Sequence, residues 1–372
     1  MPRKSASMIA WCEPMQAEFL RAIAAAADLA VVGGGSPSRG QTTTVAGMLG
    51  CEPVDDLRQS LSEPRADILL ILSPPDLDFA RLAPTSMKIA TIEPIPDSAL
   101  APVAGDRPAS ASGTAATPVH FMPLVRFSKP LRSAPEMLGS FGEAGVVVHE
   151  SLGMPGEGTL GARLFAAMDL VHLMLGEPDT IDAALAPPSS RSSGPGAAEP
   201  GETLAGLHGT VTANLRFSGR RAAAVVASNQ AGRWNNTTTI IGPGGRIRLF
   251  DDGFEWIDPG GRKLDEMRSR RSASRGSGSP SGPDSPRKPT GKRASRSAEH
   301  IRAGSVPAVT GFSPACVGVL ADSIRRLLED TLFPEPPADV TAALAMGQAA
   351  LLSCRTGQPE SPATIRRMLN AV

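Results

Sequence analysis

The chain has 372 residues, 41% of them hydrophobic and 20% charged, with 37 basic and 37 acidic side chains. That length supports two domains with a sizeable core each, and the charge balance excludes a whole-molecule attraction to nucleic acid or to a membrane surface. Four scattered cysteines (Cys12, Cys51, Cys316, Cys354) with no Cys-x-x-Cys pair argue against a disulfide framework or a metal site. No apolar run approaches the ~18 residues of a membrane span, and the run after the basic N-terminus is too short for a signal-peptide core, so the expected location is the cytoplasm.

Strand and helix signals alternate over the first hundred residues or so, which predicts a parallel sheet with crossover helices. Residues 8–11 form a short apolar strand and 16–27 a helix rich in Ala. A second strand, 29–32, is broken by Gly33-Gly34-Gly35, and helices follow over 43–49 and 54–61. Residues 67–72 and 88–92 are apolar strands, stopped by Ser73-Pro74-Pro75 and by Glu93-Pro94-Ile95-Pro96. Residues 101–118 are a surface loop rich in Ala, Pro, Ser and Gly. Residues 119–127 are the strand that closes a Rossmann-like domain spanning 1–127.

The second domain, 128–372, contains the longest patterned helix, 158–175. Leu164, Met168, Val171 and Leu175 recur at helical spacing and predict one apolar face. Gly176 ends the helix and Pro178 stops it from resuming. Strands follow at 180–185, 207–217, 221–229, 237–241, 246–249 and 254–257, a run that predicts an open, mostly antiparallel sheet. Helices return at 314–329 and 339–353. The fold class is therefore an α/β Rossmann-like N-terminal domain followed by an α+β domain. Two polar inserts, 187–201 and about 268–305, cannot bury a core and are expected to be disordered. The second is basic: residues 262–302 hold twelve Lys or Arg against four Asp or Glu. It has no aromatic residue to stack on bases, so a solvated loop is preferred to a nucleic-acid contact.

Asp169-Leu170-x-x-x-x-Leu175-Gly176-Glu177-Pro178 ahead of a strand resembles the substrate-domain helix of the Gfo/Idh/MocA dehydrogenases, the glucose–fructose oxidoreductase and inositol dehydrogenase relatives. Four further segments are similar to elements of that family, in the family's order: 66–75 (Asp, an apolar run, then Ser-Pro-Pro), 87–94 (Lys88 through Glu93-Pro94), 239–249 (the Gly-Pro-Gly-Gly hairpin) and 351–359 (Ser353 through Thr356-Gly357-Gln358-Pro359). The resemblance implies NAD or NADP as cofactor, a small sugar-like or polyol ligand, no metal, and a homodimer. It also implies a catalytic His three residues before Asp169 and a Lys between Glu93 and Pro94. This chain has Ala166 at the first place and no Lys at the second.

The first strand-to-helix turn is the second departure. A dinucleotide needs glycines there, so that the backbone approaches the pyrophosphate at a helix N-terminus. The chain reads Trp11-Cys12-Glu13-Pro14-Met15-Gln16-Ala17, with no glycine, a carboxylate where phosphate belongs and a proline that lacks a donor. A plain connection without ligand is the preferred reading. By resemblance the cofactor candidates are Cys12, Met15, Ser36, Arg39, Ser73 and Pro74; Ser36, Ser38 and Arg39 are also the residue types that hold a 2′-phosphate. Lys88 is expected to be a solvated residue at the far end of its strand. The catalytic candidates are Asp169, His172 three residues on, and Glu93; His149 is a pocket candidate at the end of strand 146–149. The other histidines are too dispersed for a metal. The leading expectation is a degenerate family member without dehydrogenase activity. The alternatives are a working NAD(P)-dependent oxidoreductase acting on a sugar or polyol, and a scaffold acting through the basic insert.

Overall fold

The computed structural model describes residues 5–75, 77, 85–93, 119–126, 128–132, 135–186, 207–268, 314–331 and 338–370. The expected loop 101–118, the insert 187–201, nearly all of the basic insert and Pro94 lie outside these residues.

The first sheet has six parallel strands: β1 (Ala6–Trp11), β2 (Leu29–Gly35), β3 (Glu52–Pro53), β4 (Ile68–Ile71), β5 (Lys88–Thr91) and β6 (Val119–Phe121). Their order is β3-β2-β1-β4-β5-β6, the doubly wound arrangement with a switch point between β1 and β4. Every residue of β4 is buried, as a central strand with both faces covered requires. Helices α1 (Ala17–Ala27), α2 (Thr42–Leu49) and α3 (Leu57–Ser62) link or cover the strands.

Three boundaries differ from expectation. The glycine triplet does not break β2 but ends it, because Gly35 pairs with Trp11 and a Cβ there would lie 2.4 Å from the indole Cζ3. α3 starts at Leu57 rather than residue 54 because Asp56 caps it, accepting from the Arg58 and Gln59 amides at 2.8 and 3.4 Å. β6 stops at Phe121.

The second sheet has eight strands in the order β14-β13-β12-β11-β7-β10-β9-β8. They are β7 (Val146–Leu152), β8 (Thr180–Ala186), β9 (Thr210–Phe217), β10 (Arg221–Ser228), β11 (Asn235–Gly242), β12 (Gly245–Phe250), β13 (Gly253–Ile257) and β14 (Lys263–Arg268). All pairs are antiparallel except β7 with β10. Arg268 thus ends a strand rather than opening the insert, and β7 runs three residues past His149.

Helices α4 (Lys129–Arg132) and α5 (Pro135–Phe141) lead into this sheet. The long helix, α6, spans Leu160–Leu175 and packs on β7 and β10. It is not the one-faced helix expected: 13 of its 16 residues are buried. The sheet covers one side and α8 (Val340–Thr356) another, so close that a Cβ on Gly347 would lie 2.4 Å from Phe165. Thr159 caps α6 by accepting from the Ala162 amide at 2.9 Å, and Gly176 ends it with φ +79°. α7 (Pro314–Leu328) returns to pack on α1, and α9 (Pro362–Asn370) lies against α8.

Candidate functional site

In a doubly wound sheet, ligands enter the crevice at the carboxyl ends of the strands beside the switch point. Here that crevice is bounded by the turn after β1, the loop after β2 and the loop after β4. A 3-10 turn, Pro14–Gln16, replaces the glycine turn, and its own side chains occupy it. The Glu13 amide donates to Gln16 Oε1 at 2.9 Å, and Ser73 Oγ donates to the same oxygen at 2.7 Å. Gln16 Nε2 reaches the Leu72 carbonyl at 3.4 Å. Ser38 Oγ donates to Glu13 Oε1 at 2.8 Å, joining the first loop to the second. The Glu13 amide and the Ser38 and Ser73 hydroxyls thus donate within the protein, around the Glu13 carboxyl and the Gln16 amide.

The six candidates for cofactor contact divide accordingly. Ser73 is buried and bound to Gln16, and Pro74 follows it half-buried. Cys12 is buried, and burial pushes its thiol up to about 12. Met15 projects outward, 55% exposed. Ser36 and Arg39 line a cleft of about 450 Å³ between the β2 loop and α3.

The catalytic candidates lie elsewhere. Glu93 follows β5 and is wholly buried against the first turn of α6, where Thr159 Oγ1 bonds its Oε2 at 2.5 Å. A Cβ on Gly161 would lie 2.3 Å from Glu93 Oε1, so glycine is what lets the carboxyl reach the helix. Burial raises the Glu93 pKa to about 8 against the opposing bond from Thr159, which keeps the group neutral at pH 7.

Asp169 lies eight residues further along α6, about 12 Å up the helix axis. It forms a buried bidentate pair with Arg126, whose Nε and Nη2 donate at 2.8 Å each. Burial raises the Asp169 pKa while the bonds from Arg126 hold it down. His172 is half-buried in the last turn. The helix therefore does not join Glu93 and Asp169 into one acid–base pair. Lys88, expected to be solvated, forms an ion pair with Asp330 beyond α7.

Two further polar groups fill the interior between α6 and the second sheet. His149 is wholly buried, with Nδ1 2.9 Å from Thr238 Oγ1, and burial lowers its pKa to about 4. Arg163 is also wholly buried; it donates to the Leu152 carbonyl at 3.3 Å and lies 4.7 Å over the Trp234 ring. Trp234 in turn donates to Asp251 at 2.7 Å. Sequence reasoning passed over Gln16, Arg126, Thr159, Gly161 and Arg163, whose roles depend on partners distant in the chain. Among the described residues no group of three His, Cys, Asp or Glu could hold a metal ion, and no helix is long and apolar enough to cross a membrane.

No family model and no curated protein matches this sequence. Solved structures do. An oxidoreductase from Agrobacterium radiobacter, in complex with NAD+, L-tartaric acid and magnesium, superposes with a TM-score of 0.56 at 13% identity, over 97% of this chain and 100% of that one. Levoglucosan dehydrogenase in complex with NADH and levoglucosan gives 0.57 at 14% identity, over 95% and 98%. The WlbA dehydrogenase from Chromobacterium violaceum, in complex with NADH and UDP-GlcNAcA, gives 0.55 at 11% identity, over 96% of each chain. The chain has the fold of the Gfo/Idh/MocA-type dehydrogenases.

Proposed function

We propose that this protein belongs to the Gfo/Idh/MocA family as a member without dehydrogenase activity, which binds a small sugar-like ligand or a partner. Its domains divide at residue 127, and the open face of the second sheet serves a homodimer. The observation that carries this reading is the turn after β1. A dinucleotide pyrophosphate would meet a turn in which Glu13, Gln16, Ser38 and Ser73 already satisfy one another, and this supports weak or lost binding. Ala166 at the His position and the Arg126-bound Asp169 agree with it: position 166 offers no imidazole to take a hydroxyl proton as hydride leaves. A buried, neutral Glu93 under α6 serves as a packing element rather than a base.

Titration calorimetry with NAD(H) and NADP(H) tests this directly. Losing ~4 kcal/mol of phosphate contacts weakens binding about a thousandfold, so dissociation constants nearer millimolar than micromolar are expected. Micromolar affinity, or oxidation of any polyol above background, makes the protein a working oxidoreductase instead.

A further inference from the structure

The first sheet ends on an edge that is only partly covered. β3 is two residues long and pairs with Gly33 and Gly34 alone. The outer edge of β2 from Leu29 to Val32 therefore has no partner strand among the described residues, about 13 Å of backbone at ~3.3 Å per residue. Val32 lacks a partner on the inner side too, because the register with β1 passes from Met8–Val31 to Ile9–Gly33 and leaves Val32 as a bulge. A groove of about 850 Å³ lies beside this edge. It is open because α3 has only six residues and lays Leu57 and Leu61 over side chains of β1 and β4 rather than of β2. Its floor is apolar, with Val32 36% exposed near Ile9 and Val54. Glu52, Asp55 and Glu63 stand exposed on its rim, and none of them forms an ion pair among the described residues. Arg65 is the one cation that lines it.

Charge decides between occupants. A symmetric contact between two copies would set this acidic rim against itself, and an anionic ligand would meet the same repulsion. A free strand edge, in contrast, accepts main-chain pairing from any extended chain, and the pockets beside it select the alternate side chains. We propose that the groove takes an extended, basic peptide segment of a partner protein, added to the sheet beside Leu29–Val32. Its alternate apolar side chains cover the groove floor, and its Lys or Arg side chains face Glu52, Asp55 and Glu63. The proposal rests on the partner arm of the function given above, but it uses no residue of the closed turn after β1.

Calorimetry of the full chain with a synthetic peptide of alternating Lys and Val, blocked at both ends, tests it. Binding is expected, weakening at least tenfold between about 50 and about 500 mM salt. The same peptide with Glu for Lys should bind at least tenfold more weakly. So should a version N-methylated at alternate residues, which keeps every charge and loses main-chain donors. E52Q/D55N/E63Q, altered only at exposed side chains, should lose tenfold or more in affinity with its thermal unfolding unchanged. Hydrogen exchange should slow at amides within Leu29–Val32 when the peptide is added. Equal binding of the N-methylated peptide or of spermidine reduces the groove to a charge trap and overturns strand addition. Binding that survives the triple variant, or no binding at millimolar peptide, also overturns it. A dimer that sediments in wild type and is lost in V32K gives the groove to a second copy instead. Each of these failures leaves the loss of hydride transfer standing, whereas micromolar NAD(H) binding with polyol oxidation removes that loss and leaves the groove untouched.

Discussion

Replacing Glu93 by Gln isolates one buried carboxyl and tests the claim that it is neutral in the folded protein. The carboxyl has a folded pKa of about 8 against an ordinary value of 4.5, because burial penalises its charge. The folded state therefore holds a proton that the unfolded chain releases above pH 4.5. Glu93 contributes its full stabilisation below that pH, and the contribution falls as pH rises toward 8. At about 1.4 kcal/mol per pH unit, the three units from pH 5 to pH 8 amount to roughly 4 kcal/mol. Other groups tilt the same curve: His149, held near 4, loses stability as pH falls from 6.5, and Asp251, raised to about 6 by burial, loses it as pH rises from 3.8. Both act equally in wild type and E93Q, so the difference between the two proteins removes them. Gln keeps the shape and an acceptor for Thr159. Urea unfolding followed by circular dichroism at each pH should show E93Q gaining on wild type by roughly 4 kcal/mol between pH 5 and 8. Parallel curves would show that the carboxyl ionises freely in the folded protein and is not held in a buried, neutral state.

Gly161→Ala places a methyl group 2.3 Å from Glu93 Oε1; overpacking should cost about 1–3 kcal/mol despite alanine's better helix propensity, and E93A/G161A should recover most of it in thermal melts. Asp169→Asn leaves the Arg126 charge buried and unpaired, and should destabilise by about 3–5 kcal/mol. The double replacement R126M/D169L should recover at least half of that loss; equal instability of the single and double variants counts against the pair. Substituting a Gly-x-Gly-x-x-Gly turn over residues 12–17 should raise dinucleotide affinity measurably by calorimetry while polyol oxidation stays at background, since Ala166 is unchanged.

The architecture could be read from the chain because its signals are local. The apolar run at 68–71, the Gly176 stop and the Gly-Pro-Gly-Gly hairpin each act within a few residues, and they occur in the family's order. β14 escaped notice because an edge strand written Lys-Leu-Asp-Glu-Met-Arg has little apolar alternation. The burial of α6 escaped it too, since α8, which covers its second side, lies some 180 residues later. The sequence showed that the turn after β1 lacks glycine. It did not show that Gln16 would bridge to Ser73, 57 residues away, or that Arg126 would claim Asp169. Those outcomes depend on tertiary distance, which no spacing within a motif encodes.

β7 carries a consequence for how the molecule is assembled. β10 and β11 are joined by only six residues, a length at which neighbouring strands ordinarily pair as a hairpin, yet β7 lies between them. β8, β9 and β10 pair in succession and β11 through β14 form a meander, and within them β9 with β10 and β11 through β14 can zip from short turns. β7 must enter the gap from about 70 residues upstream, a slow closure. Until it does, the two edges that should receive it can join each other directly. Emergence of β7 from the ribosome before either group of strands works against that misfold, and refolding of the denatured chain lacks that order of events.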